Sequence, residues 1–376
     1  MGKIISAIAD FIRETDKLLL ILCFFASTYG CMAVYSATAH NGSARPLIVQ
    51  SFCMIAGIIA AVFISRIDYQ TYLERWYLFA AGGLIPVILT FFIGFAPGET
   101  DDKAWLNLGI TTFQPSELLK ICFIITFAAH LSHIKPNINK LKYLLPACFH
   151  GAIPVLLIHF QGDDGTALVF AIMVLFMLWA AGVSWKYFAV AISTIVIASP
   201  IIYFFVMNDD HRARIKSIFD IEADIQGIGF QQWRGRTALA NGGFTGQGYL
   251  KGSLTSAGLV PEGHNDFIFV SIGEELGFLG CMAVIILLAA ICFRCIRIAR
   301  MCSKDSGKLI CVGMFAMLFA QAVINIGMCV SVLPVIGITL PFFSAGGTSL
   351  LCLFLGVGLV LSVYMHRNSR TIYLRG

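Results

Sequence analysis

Hydrophobic residues occur in long runs along most of this chain, and short polar segments separate them. A run of about 18 or more apolar residues is long enough to cross the hydrocarbon core of a membrane as a helix. A membrane barrel would instead show short segments of alternating polarity. The pattern predicts ten spans, at residues 17–38, 47–66, 76–96, 115–133, 143–160, 165–182, 187–207, 266–293, 309–331 and 347–365.

Composition supports this interpretation. The chain is 58% hydrophobic and 12% charged, whereas soluble domains carry about 25% charged residues. We therefore expect an all-α polytopic integral membrane protein that forms one domain over residues 1–376. The connection between spans seven and eight, residues 208–265, is the one large loop, and long ordered loops are often functional.

Lysine and arginine residues are concentrated in alternate connections. They occupy both terminal tails and the segments that follow the second, fourth, sixth and eighth spans. The short connections on the other side carry only Arg45 and Lys103. Cytoplasmic loops of membrane proteins are enriched in these residues. The distribution predicts that both termini are cytoplasmic and that residues 208–265 lie outside the cytoplasm.

A polar cluster, VPEGHNDFIF at residues 260–269, stands where span eight begins. A helix that started at Pro261 would carry Glu262 and Asp266 on one face. Its N-terminal dipole would keep Asp266 ionised at neutral pH. Such a carboxylate can act as a general base or bind a divalent cation. Helix capping by Asp266 is the alternative, but it leaves Glu262 and His264 unexplained.

Basic residues form a second group on the predicted outer side. Arginine side chains suit phosphate oxygens because their donors are arranged as a planar fork. Alternatively, these residues balance nearby acidic residues or contact lipid headgroups. The group comprises Arg212, Arg214, Lys216, Arg234, Arg236 and Lys251.

Ionisable and amide side chains also interrupt the predicted spans. Such groups are costly in a membrane and usually face a cavity or a partner. For Lys120 the alternatives are a buried pair with a carboxylate and a contact with substrate. The other polar side chains within predicted spans are Glu117, Glu274, Glu275, Gln321 and Asn325. Of these, Gln321 and Asn325 are expected to form hydrogen bonds between helices.

Two further segments lie on the predicted outer side. Residues 333–349, LPVIGITLPFFSAGGTS, are rich in proline and glycine, which predicts a broken or re-entrant segment that lines a cavity. Asp163 and Asp164, in the short QGDDGT connection, are interpreted as solvated turn residues unless they contribute to a site.

Several short motifs run in order along nearly the whole chain. Together they resemble the SEDS family, which comprises RodA, FtsW and SpoVE and has a GT-C-like membrane fold. NIGM followed by LPVIG favours RodA, whereas GITLP favours the division and sporulation members. The motifs are FQPSELLK (113–120), GTAL (165–168), PEGHNDFIF (261–269), GEELGFLG (273–280), NIGM (325–328) and LPFFSAGGTS (340–349).

The resemblance implies a glycosyltransferase that polymerises lipid II, the undecaprenyl-pyrophosphate-linked disaccharide peptide, outside the bacterial cytoplasmic membrane. It implies a role in elongation, division or sporulation, and a class B penicillin-binding protein as partner. An α-linked donor and a β-linked product imply an inverting reaction. A flippase for the lipid-linked precursor and a non-catalytic scaffold for a transpeptidase remain alternatives. No nucleic-acid partner is expected.

The resemblance also implies roles for individual residues. The family's essential aspartate falls on Asp266, the proposed base, and its glutamate falls on Glu262, which would support the base. A divalent cation, Mg²⁺ or Mn²⁺, is the one cofactor considered, with Asp266 as its candidate ligand. The candidates for substrate binding are Lys120, Arg212, Arg214, Arg234, Arg236, His264, Asp163, Trp105 and Ser344.

Overall fold

The computed structural model describes residues 13–96, 103–107, 109, 112–207, 212–213 and 229–367. These residues include ten helices that are long and apolar enough to cross a membrane, which confirms the predicted spans and fold class. Two further helices, α3 and α9, are not membrane spans. In chain order the helices are α1 (Lys17–Thr38), α2 (Arg45–Arg66), α3 (Tyr69–Glu74), α4 (Trp76–Ile93), α5 (Pro115–Ile134), α6 (Leu141–Phe160), α7 (Asp164–Ala181), α8 (Trp185–Ile201), α9 (Phe230–Gly242), α10 (Ile268–Met301), α11 (Asp305–Cys329) and α12 (Gly347–Met365).

A small β-hairpin lies in the connection between α4 and α5. Strand β1 (Leu106–Asn107) pairs antiparallel with strand β2 (Thr112–Phe113). Just before β1, Phe95 and Trp105 form an isolated antiparallel bridge. The hairpin therefore leads the chain directly to Gln114, the residue that precedes α5.

Helices α5, α11 and α12 form the interior of the bundle, because most of their residues are buried. Small residues allow close packing around them. A Cβ atom at Gly313 of α11 would lie 3.0 Å from Ile124 of α5 and 3.0 Å from Met177 of α7. Interiors packed at this density tolerate little added volume.

Helix α8 differs from the other spans because none of its residues is buried. Its N-terminal end is fixed by Asn139, which accepts hydrogen bonds from Ser184 N (2.7 Å) and Tyr187 Oη (2.7 Å). A π-helical turn, Ile202–Val206, extends its other end. An apolar helix with this exposure is expected to be surrounded by lipid along most of its length.

Helix α10 is broken at Gly277, whose φ of 66° and ψ of −162° are not helical. The N–H groups of Phe278 and Leu279 donate instead to the carbonyls of Gly243 and Phe244, at 2.9 and 3.2 Å. The prediction of one continuous span is therefore wrong in this detail. The part after the break is about 36 Å long at 1.5 Å per residue and suffices to cross the membrane.

Residues 333–346 connect α11 to α12 without forming a helix, which confirms the predicted broken segment. Phe342 and Phe343 are buried, although they lie in irregular backbone. A side chain at Gly30 of α1 would overlap the backbone of Phe342. The segment is thus enclosed by protein, the condition under which irregular backbone is tolerated at membrane depth.

Candidate functional site

Asp266 lies in a turn, residues 261–267, directly ahead of α10. The turn is closed by Glu262 O, which accepts hydrogen bonds from Asn265 N (2.9 Å) and Phe267 N (3.0 Å). Glu262 has a positive φ of 48°, so its backbone cannot begin a right-handed helix. The predicted helix start at Pro261 is therefore wrong. The cap position of α10 is Phe267, so Asp266 is not its N-cap.

Three consecutive carbonyl oxygens of this turn are bound by residues far away in the sequence. Their donors come from α11 and from the 333–346 segment, so the turn is joined to two other parts of the bundle. The bonds are Ala345 N to His264 O (2.8 Å), Ser344 Oγ to Asn265 O (2.7 Å) and Asn325 Nδ2 to Asp266 O (2.7 Å).

The Asp266 carboxylate is half-buried and lies near two other acids. Burial, followed by the negative charges of Glu262 and Asp163, raises the pKa of Asp266 to about 7. The sequence predicted the opposite direction, because it placed Asp266 at a helix N-terminus that would favour the anion. The structure moves the helix start from Pro261 to Ile268, so Asp266 lies ahead of α10 and not within its first turns, and burial and two like charges act on its carboxylate.

Asp163 is buried and serves as the N-cap of α7. Its Oδ1 accepts a hydrogen bond from Thr166 N (2.8 Å), and its Oδ2 accepts one from Gln114 Nε2 (3.0 Å). The interpretation of Asp163 as a solvated turn residue is therefore wrong. Asp164 is partly exposed, and its Oδ1 lies 2.5 Å from Nδ1 of His159.

Lys120 is almost fully buried in α5 and pairs with Glu117 of the same helix, Nζ to Oε1, at 2.8 Å. Glu117 also accepts a hydrogen bond from Ser349 Oγ (3.1 Å). Of the two alternatives for Lys120, the structure shows the buried pair with a carboxylate. Among the described residues, no hydrogen bond or ion pair links Lys120 to the Asp266 turn.

Helix α9, which lies within the long loop, packs over the Asp266 turn. A Cβ atom at Gly235 would lie 3.2 Å from the ring of Phe267. Gln232 is fully buried, and its Nε2 donates to Leu333 O (3.0 Å). The helix therefore holds its exposed side chains in a fixed position beside Asp266.

Two of the predicted phosphate ligands, Arg234 and Arg236, lie on α9. The Arg234 guanidinium lies over the rings of Phe230 (5.4 Å) and Trp233 (5.5 Å). Its Nε is buried and has no hydrogen-bond partner within the described part of the chain. Arg236 is exposed. The two arginines flank Gly235, the residue of α9 that packs on Phe267.

The other basic residues of the loop are placed differently. Arg212 Nε donates to Tyr203 O (2.9 Å), and its Nη2 donates to Phe204 O (3.0 Å). Arg212 therefore satisfies backbone carbonyls at the end of α8, where a positive charge also complements the helix dipole. Lys251 is exposed. Arg214 and Lys216 lie outside the described residues.

A cavity of about 170 Å³ opens beside the turn, and its walls include His40, Glu262 and His264. The His264 ring is half-buried, and burial lowers the pKa of this histidine, against the opposing influence of Glu262. Trp105 lies in the α4–α5 connection, where its backbone pairs with that of Phe95. The structure therefore places His264 in the site, whereas Trp105 lies in the connection that leads to Gln114.

Ser344 is buried, and its hydroxyl both donates to Asn265 O and accepts from Leu340 N (2.7 Å). This geometry gives the hydroxyl a role in holding the turn, and its contact with substrate stays a prediction.

Sequence reasoning missed how strongly two buried polar residues organise the site. Glu274 accepts four hydrogen bonds from residues 253–255, at 2.6 to 3.1 Å. Asn325 binds both the Asp266 turn and the 333–346 segment. The sequence did indicate both residues, because each is a polar residue within an apolar span. Gln321 gave the same signal, yet its Oε1 has no partner among the described residues.

A family model for the cell cycle proteins FtsW, RodA and SpoVE matches residues 16–369. The peptidoglycan glycosyltransferase MrdB of Escherichia coli strain K12 is 31% identical over 357 residues, which are 94% of either chain. The stage V sporulation protein E of Bacillus subtilis strain 168 is 32% identical over 356 residues, 93% of this chain and 96% of that protein.

Solved structures show the same fold. One is a chain of a peptidoglycan synthase complex that coordinates polymerization and crosslinking. It has a TM-score of 0.82 and 26% identity, and the match covers 95% of this chain and 99% of that one. The rod shape determining protein RodA of Thermus thermophilus has a TM-score of 0.70 and 25% identity, over 95% of this chain and 98% of that one.

Proposed function

This chain belongs to the FtsW, RodA and SpoVE family of cell cycle proteins and is a peptidoglycan glycosyltransferase, and we propose that it polymerises lipid II with Asp266 as its general base. The observation that carries the proposal is that burial and the nearby charges of Glu262 and Asp163 act on the Asp266 carboxylate and raise its pKa to about 7. A base is most effective when its pKa lies near the working pH.

The reaction balances with one proton transfer and one displacement. Asp266 removes the proton from the 4-hydroxyl of the acceptor sugar, and that oxygen attacks the anomeric carbon of the donor. The bond from this carbon to the pyrophosphate oxygen breaks, and undecaprenyl pyrophosphate leaves with the bonding electrons. The configuration at carbon inverts, so no covalent enzyme intermediate is needed. Glu262 and Asp163 act by keeping the pKa of Asp266 high.

The leaving pyrophosphate needs positive charge beside Asp266. Arg234 and Arg236 of α9 suit this role, because α9 packs on the turn and Arg234 Nε has no hydrogen-bond partner in the described chain. We favour these two arginines over Lys120 as ligands of the pyrophosphate, because the Lys120 ammonium is already paired with Glu117. The Arg212 guanidinium is engaged at the end of α8.

A divalent cation would supply further charge stabilisation of the pyrophosphate. Among the described residues, no group of three or more His, Cys, Asp or Glu is arranged to hold a metal ion. Mg²⁺ is commonly bound by one or two carboxylates together with substrate phosphates. As the alternative to its role as general base, Asp266 would be the protein ligand for Mg²⁺ or Mn²⁺, and the substrate would supply the other ligands.

We further propose that the chain acts in the bacterial cytoplasmic membrane, with cytoplasmic termini and the Asp266 turn outside. The distribution of lysine and arginine supports this orientation. Similarity to a chain from a complex that couples polymerization to crosslinking supports a class B penicillin-binding protein as the partner. Similarity to a rod shape determining protein supports a role in cell shape.

The test is lipid II polymerisation by the full chain with its cognate transpeptidase in detergent or liposomes, with glycan products separated on gels. We expect Asp266→Asn to lower the rate by several orders of magnitude while the protein remains folded. Asp164→Asn is the matched control and should keep the wild-type rate, because Asp164 is partly exposed and paired with His159. Folded Asp266→Asn protein with a rate close to wild type would overturn the proposal.

A further inference from the structure

Asn325 makes two hydrogen bonds that bring three parts of the chain together. The side chain is fully buried in α11. Its Nδ2 donates to Asp266 O at 2.7 Å and to Ile338 O at 2.6 Å. An amide nitrogen carries two hydrogens, so both are used. One side chain therefore ties α11 to the Asp266 turn and to the 333–346 segment.

The segment held by Asn325 also forms the wall that faces the Asp266 carboxylate. Gly337, which precedes the bonded Ile338, has a φ of 63°. A Cβ atom at Gly337 would lie 3.5 Å from Oδ2 of Asp266. The hydrogen bonds of Asn325 thus fix the backbone that carries the carboxylate and the backbone opposite to it.

The local charges create a need for such a restraint. The negative charges of Glu262 and Asp163 act on the Asp266 carboxylate, so electrostatic repulsion favours a displacement of that carboxylate away from them. An aspartate has only two side-chain torsions, and its reach is set by the position of its backbone. A displacement of about 1 Å at a reacting group can lower a rate by about 10²-fold.

We propose that Asn325 is a positioning residue for the transferase reaction, acting on the Asp266 carboxylate through the main chain. This inference rests on the proposed role of Asp266 as the base. Asn325 does not touch the reacting atoms. Through its two hydrogen bonds it holds the backbone of Asp266 and the facing backbone of Gly337 and Ile338 in a fixed relative position.

A simpler role would be an interhelical hydrogen bond that only stabilises the fold. The chain offers a matched control for that role. Gln321 precedes Asn325 by one helical turn on α11 and is also buried. Its Oε1 has no hydrogen-bond partner in the described part of the chain.

The test compares Asn325→Leu with Gln321→Leu in steady-state polymerisation of lipid II by the full chain with its transpeptidase. For Asn325→Leu we expect kcat to fall about 100-fold with KM nearly unchanged. We also expect its acid pH limb to move to lower pH, because a carboxylate released towards solvent regains a lower pKa. Gln321→Leu should keep the wild-type kcat and pH profile.

A second variant covers the case in which Asn325→Leu does not fold. Ser344→Ala removes one oxygen atom and with it the hydrogen bond to the adjoining carbonyl of Asn265 and the one accepted from Leu340 N. It should give a smaller fall in kcat, again with little change in KM. Wild-type kcat and pH profile in folded Asn325→Leu, or in folded Ser344→Ala if Asn325→Leu does not fold, would overturn the positioning role. An active Asp266→Asn variant would instead overturn the proposed function itself.

Discussion

Asp163 caps α7, and its charge helps to raise the pKa of Asp266, which lies more than one hundred residues later in the chain. Two hydrogen bonds, from Thr166 N and Gln114 Nε2, hold the Asp163 carboxylate in place. It cannot turn away when Asp266 ionises. The negative charge of Asp163 therefore stays close to Asp266 when Asp266 ionises, and its effect on the pKa of Asp266 can be measured.

The pH dependence of the reaction follows from this pKa. A base must be deprotonated, so the rate should rise through about pH 7, the pKa of Asp266. Glu262→Gln removes one like charge, so the midpoint of this rise should shift to lower pH. The measurement is kcat/KM for lipid II between pH 5 and 9. An unchanged midpoint in folded Glu262→Gln would contradict the influence of Glu262 on the pKa of Asp266. Asp164→Asn is the control and should keep the wild-type midpoint.

The same pKa predicts how stability depends on pH. The folded-state pKa of Asp266 lies above its ordinary value of 3.8, so ionisation destabilises the folded protein. This cost is absent below the unfolded pKa and grows until pH exceeds the folded pKa. Asp266→Asn should therefore gain thermal stability relative to the wild type between pH 5 and pH 8. Melting curves of both proteins in detergent at pH 5 and at pH 8 measure this gain. An equal difference in melting temperature between the two proteins at both pH values would contradict the raised pKa of Asp266.

The Lys120–Glu117 pair can be tested by a double substitution. Lys120→Met leaves Glu117 buried without its partner, which should destabilise the protein by about 3–5 kcal/mol. Lys120→Met combined with Glu117→Gln should recover most of that loss. Melting temperatures of the three proteins measure the effect. If the stable double variant still polymerises lipid II, Lys120 is structural. If it is stable and inactive, Lys120 contacts the substrate.

The break in α10 should depend strictly on glycine. Gly277 has a positive φ, and a Cβ atom there would overlap the backbone of Gly246 and Phe244. Gly277→Ala should therefore cost more than the about 1–3 kcal/mol typical of strained backbone alone, and it should lower the yield of folded protein. Gly82→Ala in α4 is the control, because nothing lies within 4 Å of its Cβ position. Equal yields of the two variants would contradict the assignment.

Glu274 should be needed for the order of the adjoining loop. Its carboxylate accepts four hydrogen bonds from residues 253–255. In Glu274→Gln one carboxylate oxygen becomes an amide NH2 group, which cannot accept hydrogen bonds. The free energy of unfolding should therefore fall by about 2–3 kcal/mol. Limited proteolysis near residues 247–258, with melting curves, measures this. Ser256→Ala is the control, and similar cleavage in both variants would argue against the role.

The spans could be predicted closely because long apolar runs have one stable arrangement in a membrane. The start of α10 could not, because helix propensity at Pro261 and Asp266 does not reveal a turn closed by Glu262 O. Asp163 also looked like a surface residue, since its burial depends on Gln114, almost fifty residues earlier. The carboxylates were recognisable from the sequence, but the direction of the pKa shift required their three-dimensional arrangement.

The interruption at Gly277 has a mechanical consequence for the enzyme. A continuous helix carries any tilt of its membrane part along its whole length, so a residue at its end moves with the bilayer. Here the part of α10 before the break is bonded through its backbone to residues 247 and 248, and the first residues after the break are bonded to residues 243 and 244. The position of Asp266 is thereby set by the folded residues 229–267, while the part of α10 after the break can tilt with the thickness of the membrane.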